Sequence, residues 1–230
     1  MDFGISLLTT VTSLIFGVIV LRQYLARRRP YQLVWSAGLF VYALAALAQA
    51  VAEVAGWSPA LYKAWYVLGG LYAAAWLGMG TVYLLAPRRI AHVIFGAVAI
   101  ASLAGLLLVL AAEVPAAALP RAGHPTVRVM PPPVRLTAVV LNIFGTAALV
   151  GGAAWSAWSC WRRGAPRERV VSTALIAVGG LLPATAGTLL AFGLPDLFYL
   201  LTFLGILVIF AGFLANYEIV AVRLLPRTAQ

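Results

Sequence analysis

Charge is scarce in this sequence. Of the 230 residues, 10% are charged and 63% are hydrophobic, whereas a soluble domain carries about 25% charged residues. A chain this apolar cannot cover a water-facing surface with polar groups, so lipid must be the solvent for most of it. Cysteine is nearly absent: Cys160 stands alone, which excludes a disulfide within the chain and cysteine-based metal sites. The two histidines, His92 and His124, lie far apart in the chain, so neither a zinc triad nor a bis-histidine haem can be assembled. The one lysine, Lys63, sits beside a short loop, which excludes a retinal-type Schiff base deep in a helix. No cofactor is expected.

What remains is a succession of long apolar runs. A hydrocarbon core about 30 Å thick is crossed by roughly 20 helical residues. Seven such spans are predicted: Phe3 to Leu25, Tyr31 to Ala55, Ala60 to Ala86, Ile90 to Ala112, Val134 to Trp161, Val170 to Phe192 and Pro195 to Val222. The first has no basic residue before it and Arg27, Arg28 and Arg29 after it, the reverse of a cleaved signal peptide. Between spans four and five runs an outer loop, Glu113 to Pro133, punctuated by six prolines. These exclude a helix and favour extended backbone. The fold class expected is therefore an all-α bundle of seven transmembrane helices, with residues 1–230 forming a single domain and no soluble domain attached.

Arginine sets the orientation. Twelve of the sixteen basic residues fall at one end: Arg22, Arg27, Arg28, Arg29, Arg88, Arg89, Arg162, Arg163, Arg167, Arg169, Arg223 and Arg227. The positive-inside rule puts that end in the cytoplasm, with the N-terminus outside and the C-terminus inside. Four of the six acids (Asp2, Glu53, Glu113 and Asp196) fall outside. Arginine in place of lysine, with abundant alanine, points to a high-GC bacterial genome and hence to a bacterial inner membrane. A nucleic-acid partner is not expected, since the basic residues mark topology and attraction to anionic lipid. Trp155, Trp158 and Trp161 at the end of span five fit an interfacial belt. The stretch from Pro30 through Trp35, Ser36 and Leu39 can be laid on that from Pro166 through Val171, Ser172 and Leu175, and the same offset lays Gly69 on Gly205. This suggests a 3+1+3 arrangement, two three-helix units joined by span four.

Ionisable side chains inside a membrane mark function, because charge in hydrocarbon is costly. Here the midplane holds only neutral polar groups: Tyr42, Tyr72, Ser102, Asn142, Thr146 and Thr185. With no paired acids and no Ser–His pair at a common depth, no enzyme is expected. Glu53 and Lys63 lie near the outer interface, either as an ion pair or at the mouth of an outward-facing pocket. Glu218, beside Asn216 and close to Arg223, reads as a salt-bridge partner. Span three is the most unusual helix. Tyr62, Trp65, Tyr66, Gly69, Tyr72, Trp76, Met79 and Tyr83 recur mostly at three- and four-residue spacing and predict one aromatic face. Either that face packs against neighbouring helices, or Tyr66, Tyr72 and Trp76, with Asn142 from span five, line a pocket for a flat or lipophilic ligand. Gly179, Gly180 and Pro183 mark a candidate kink in span six.

The run RRRPYQLVWSAGLFVYALAALAQAVAEVAGWSPALYKAWYVLGG, with Trp35 early in span two, Glu53 near its end and LYKAWYVLGG opening span three, resembles the seven-helix N-terminal sensory region of some bacterial histidine kinases. The resemblance covers about a quarter of the chain and implies an outside N-terminus, seven helices and a sensory role. Three functions are expected from these readings. The first is a non-enzymatic module binding a lipophilic ligand or a membrane partner, as sensor or scaffold. The second is a transporter or channel for a small neutral or amphipathic solute. The third is a structural subunit or anchor of a larger membrane complex. The partners expected are membrane lipids, a lipophilic small molecule, and a membrane protein or further copies of the chain in a homo-oligomer.

Overall fold

The computed structural model describes residues 2–120, 127–192 and 197–224. Arg121, His124, Pro195 and Asp196, and the side chains of Asn216, Glu218 and Arg223, lie outside the described residues, as does the C-terminal Arg227. Helices account for almost everything described, and no strand occurs among those residues. Seven helices are long and apolar enough to cross a membrane. They are α1 (Asp2–Arg27), α2 (Pro30–Ala55), α3 (Pro59–Leu85), α4 (Arg88–Ala111), α5 (Pro132–Arg162), α6 (Arg167–Ala191) and α7 (Phe198–Leu224). The chain is a multi-pass membrane protein.

Proline starts most of these helices. It occupies the first turn of α2, α3 and α5 and the cap of α4 and α6, positions where its missing N–H costs nothing and its fixed φ suits the helix. Ser58 adds a side-chain cap, accepting from the Leu61 amide at 3.2 Å. The turn between α5 and α6 rests on Gly164, whose φ of 62° is left-handed. The proline-rich loop between α4 and α5 is not wholly extended as predicted. Single 3₁₀ turns form at Ala116–Ala118 and Val127–Val129 between its prolines, since a turn this short fits within the gaps the prolines leave.

Six helices form a ring, each packed on the next in the order α1, α2, α3, α5, α6, α7 and back to α1. The fourth helix lies outside the ring, in the angle between α3 and α5. Backbones approach most closely where α3 crosses α5. A Cβ on Gly145 would overlap the Ala74 carbonyl, and one on Gly78 would lie 2.5 Å from the Gly145 oxygen. Small residues at such crossings let helices associate in lipid, where dispersion and backbone contact replace the hydrophobic effect. The α6–α7 pair is similarly close at Gly179, Gly205 and Gly212, with Ser172 Oγ donating to Gly212 O at 2.6 Å.

Two of the seven helices are irregular, and neither is the one predicted to kink. The sixth helix runs unbroken from Arg167 to Ala191 through Pro183, so it is not a broken helix. This segment packs closely on α7: Gly205 lies against the Pro183 ring and the Gly179 carbonyl, the carbonyl four residues back that a proline leaves without its amide donor. The irregular turns are instead π-helical, with i→i+5 bonding, at Tyr66–Ala73 in α3 and Ala147–Gly151 in α5. They flank the α3–α5 crossing, one on each helix.

The crossing generates a stability test. We expect Gly145→Ala to cost about 1–3 kcal/mol by overpacking, read as a lowered midpoint of thermal unfolding in mild detergent. Gly96→Ala and Gly187→Ala, where a Cβ meets nothing within 4 Å, should leave the midpoint unchanged or raise it. Equal effects at all three positions would remove the crossing from its central role.

Candidate functional site

The wide turn in α3 divides the aromatic stripe into two. One extra residue in a helical turn rotates the residues beyond it by about 100° relative to those before it. Toward the N-terminal end of α3, Tyr62, Trp65 and Tyr66 are buried in a cluster with Trp57. Ring centroids lie 5.5 Å apart for Trp57 and Trp65 and 6.0 Å apart for Tyr62 and Tyr66. On the other side, the stripe turns to α4. Tyr72 donates to Ser102 O at 3.1 Å, Trp76 meets Phe95 edge to face at 5.6 Å, and Tyr83 shares a 2.9 Å hydrogen bond with His92 Nδ1.

Asn142 reaches α3 at the wide turn itself. Its amide nitrogen donates to Gly70 O on α3 and, at 2.8 Å, to Ala138 O on its own helix. Returning from i+5 to i+4 bonding leaves a carbonyl short of an amide donor, and a buried carbonyl needs one. Asn142 supplies that donor. The structure thus brings Tyr66, Gly70 and Asn142 together: the Tyr66 ring lies 3.4 Å from where a Gly70 Cβ would be. Tyr72 and Trp76 point elsewhere, toward α4.

Glu53 and Lys63 do not form the ion pair that their sequence positions suggest. Tyr199 of α7 donates to Glu53 Oε1 at 2.6 Å, joining α2 to α7 instead. Lys63 donates to Leu110 O at 3.0 Å, one of the last carbonyls of α4, which lack an amide partner within the helix and favour a cation nearby. A groove of about 370 Å³ does open at this end, between the α2–α3 turn (Val54 to Trp57) and Ala116, Leu119 and Pro120 of the α4–α5 loop. Neither Glu53 nor Lys63 lines it.

A second, smaller and partly open cavity lies between the ring helices. It measures about 40 Å³ and is lined by Phe16 and Val20 of α1, Trp35 and Leu39 of α2, Leu77 of α3, Leu149 of α5, Ile176 of α6, and Ile206, Ile209 and Phe213 of α7. All six ring helices contribute, and α4 does not. Trp35 is the sole side chain among them with a polar atom, and its indole N–H is turned away to Leu77 O at 3.1 Å. Nothing in the lining offers water the two to four partners it needs, so the void is dry. Toward the Glu53 end the ring is closed by α2–α7 bonds, Tyr42 donating to Thr202 O at 2.9 Å and Tyr199 to Glu53.

Sequence reasoning missed this void and both wide turns. A signal for the turns existed: the pairs Gly69–Gly70 and Gly151–Gly152 fall at them. The pair Gly179–Gly180 sits in a regular helix, so paired glycines alone would not have separated the cases. No signal for the void existed, because its lining comes from six separate segments. No protein-family model, curated protein or solved structure matches the chain. The fold and site define its class alone, that of a seven-helix membrane bundle with an apolar interior.

The Glu53 geometry can be checked with double-mutant cycles on unfolding. Glu53→Gln and Lys63→Met should be additive within about 0.5 kcal/mol. Glu53→Ala and Tyr199→Phe should couple by about 1.5–3 kcal/mol, the range for a hydrogen bond to a charged group. Coupling of Glu53 with Lys63 in place of Tyr199 would restore the ion pair.

Proposed function

We propose that this chain is a non-enzymatic bacterial inner-membrane protein that binds a lipophilic ligand within its helix ring, as a sensor or scaffold. The observation that carries this reading is the small apolar cavity lined by ten side chains from six helices. An apolar cavity of about 150 Å³ admits benzene. The cavity here, at about 40 Å³, suits the end of an alkyl chain, with the rest of the ligand lying between helices. Because six helices meet at the void, an occupant contacts nearly the whole bundle, which is the geometry a sensor needs. Tyr66, Tyr72, Trp76 and Asn142 enter this reading as the frame that ties α3 to α4 and α5, and the ligand contacts move to the Leu77 face of α3.

The orientation proposed is N-terminus outside and C-terminus cytoplasmic, supported by the arginine-rich end. The 3+1+3 arrangement is supported by Gly69 facing Ala45 of α2 while Gly205 faces Pro183 of α6, equivalent neighbours if α1–α3 and α5–α7 are repeats. The wide turn of α3 has no counterpart in α7, so the repeat does not extend to backbone irregularity. The unbroken α6 offers no discontinuous helix of the kind that transporters use, which favours binding over transport.

Mass spectrometry of species that co-purify in mild detergent tests the reading. Ile206→Phe and Leu149→Trp should fill the void and deplete a bound lipophile. The lipid-facing change Leu107→Phe should retain it. Recovery of the same species in the same amount from all three variants, or of none from the wild type, would sink the ligand proposal. The topology is tested separately. A reporter inserted at His124 should read as external and one at Gly164 as cytoplasmic. The reverse would invert the bundle.

A further inference from the structure

The end of α5 carries a feature that neither the fold nor the void accounts for. Trp155, Trp158 and Trp161 are 58%, 44% and 68% exposed, so three large rings face outward within two helical turns. Trp155 and Trp158 lie against each other, with centroids 5.1 Å apart. The Arg162 guanidinium sits 4.9 Å over the Trp158 ring. A cation held on an aromatic face is positioned without losing its charge to a carboxylate. Just beyond, the left-handed Gly164 turns the chain back, with Gly164 N bonded to Trp161 O and Ala165 N to Cys160 O. This brings Arg167 and Arg169 at the start of α6 to the same end as Arg162 and Arg163. Four arginines thus stand against a single acid, Glu168.

We propose that this corner is a discrete binding site for one anionic phospholipid. Arginine donors would take the headgroup phosphate, for which their planar fork is suited, and the Trp155–Trp158 pair would lie along the acyl chains. Charge complementarity selects the occupant: the site combines a multiply cationic rim with an aromatic wall on the membrane side, the two halves of an anionic lipid. The Arg88 and Arg89 cluster at the same end of the bundle serves as an internal control. It offers two arginines, the number removed by the Arg162 and Arg163 substitutions, but its nearest tryptophan in sequence, Trp76, is packed on Phe95 inside the α3–α4 contact.

Native mass spectrometry of the full chain, titrated with phosphatidylglycerol or phosphatidylcholine, tests the site. The expected result is one retained phosphatidylglycerol in preference to phosphatidylcholine. Arg162→Gln with Arg163→Gln should weaken retention by about fivefold per arginine, the strength of one basic side chain at an anionic surface. Trp158→Leu should weaken it too, while Arg88→Gln with Arg89→Gln leaves it unchanged. Thermal unfolding of each variant without added lipid distinguishes loss of the site from loss of the fold. Three outcomes would overturn the proposal: equal retention of phosphatidylcholine, equal loss in the Arg88/Arg89 control, or full competition by inorganic phosphate alone. A dimer through the tryptophan face with no bound lipid would do the same.

Discussion

The crossing of α3 over α5 is the constraint on which the rest of the bundle depends. With no side chain at Gly145 or Gly78, the two backbones touch, and nothing larger fits at either position. That contact sets the distance between the halves of the ring. It leaves α4 outside, in the angle between α3 and α5, and it fixes Leu77 of α3 and Leu149 of α5 on the wall of the same void. The wide turns lie to either side of the contact and not within it, so the crossing itself is built from regular helix.

A second rule runs through the interior. Polar side chains staple one helix to another by donating to main-chain carbonyls. Trp35 of α2 bonds Leu77 O of α3, Tyr42 of α2 bonds Thr202 O of α7, and Tyr72 of α3 bonds Ser102 O of α4. Asn142 of α5 bonds Gly70 O of α3, and Ser172 of α6 bonds Gly212 O of α7. Each bond is worth about 0.6 kcal/mol on average in a membrane, so they specify register more than they supply stability. They also compete with local bonding. Thr81 lies four residues after Leu77, where its hydroxyl would ordinarily donate to that carbonyl. Trp35 takes the carbonyl, and the buried Thr81 hydroxyl has no partner.

The helices were legible in the sequence because bilayer thickness dictates their length and prolines and arginines mark their ends. Predicted and observed limits differ by at most three residues, with Pro195 outside the described residues. The site was legible only in fragments. The helical spacing of Tyr62 to Tyr83 assumes 3.6 residues per turn throughout, and the wide turn at Tyr66–Ala73 breaks that assumption midway. Asn142 was visible as a polar group that span five could bring to span three, but its acceptor was not, because a carbonyl freed by a backbone irregularity leaves no mark on residue type. Glu53 and Lys63 are neighbours along the chain across a short turn, yet each found a partner on a helix remote in sequence.

The wide turns bear on how the sequence can change over evolutionary time. A π-turn holds one residue more than the α-turn it replaces, so a single-residue deletion between Tyr66 and Ala73 would restore regular hydrogen bonding without breaking the helix. It would also turn the buried Tyr62, Trp65 and Tyr66 away from Trp57 relative to the half of α3 that meets α4 and α5. A chain without that residue would have to rebuild the Trp57 aromatic cluster one position along. The two halves of α3 therefore follow separate registers of helical geometry, joined at a turn that Asn142 holds from the neighbouring helix.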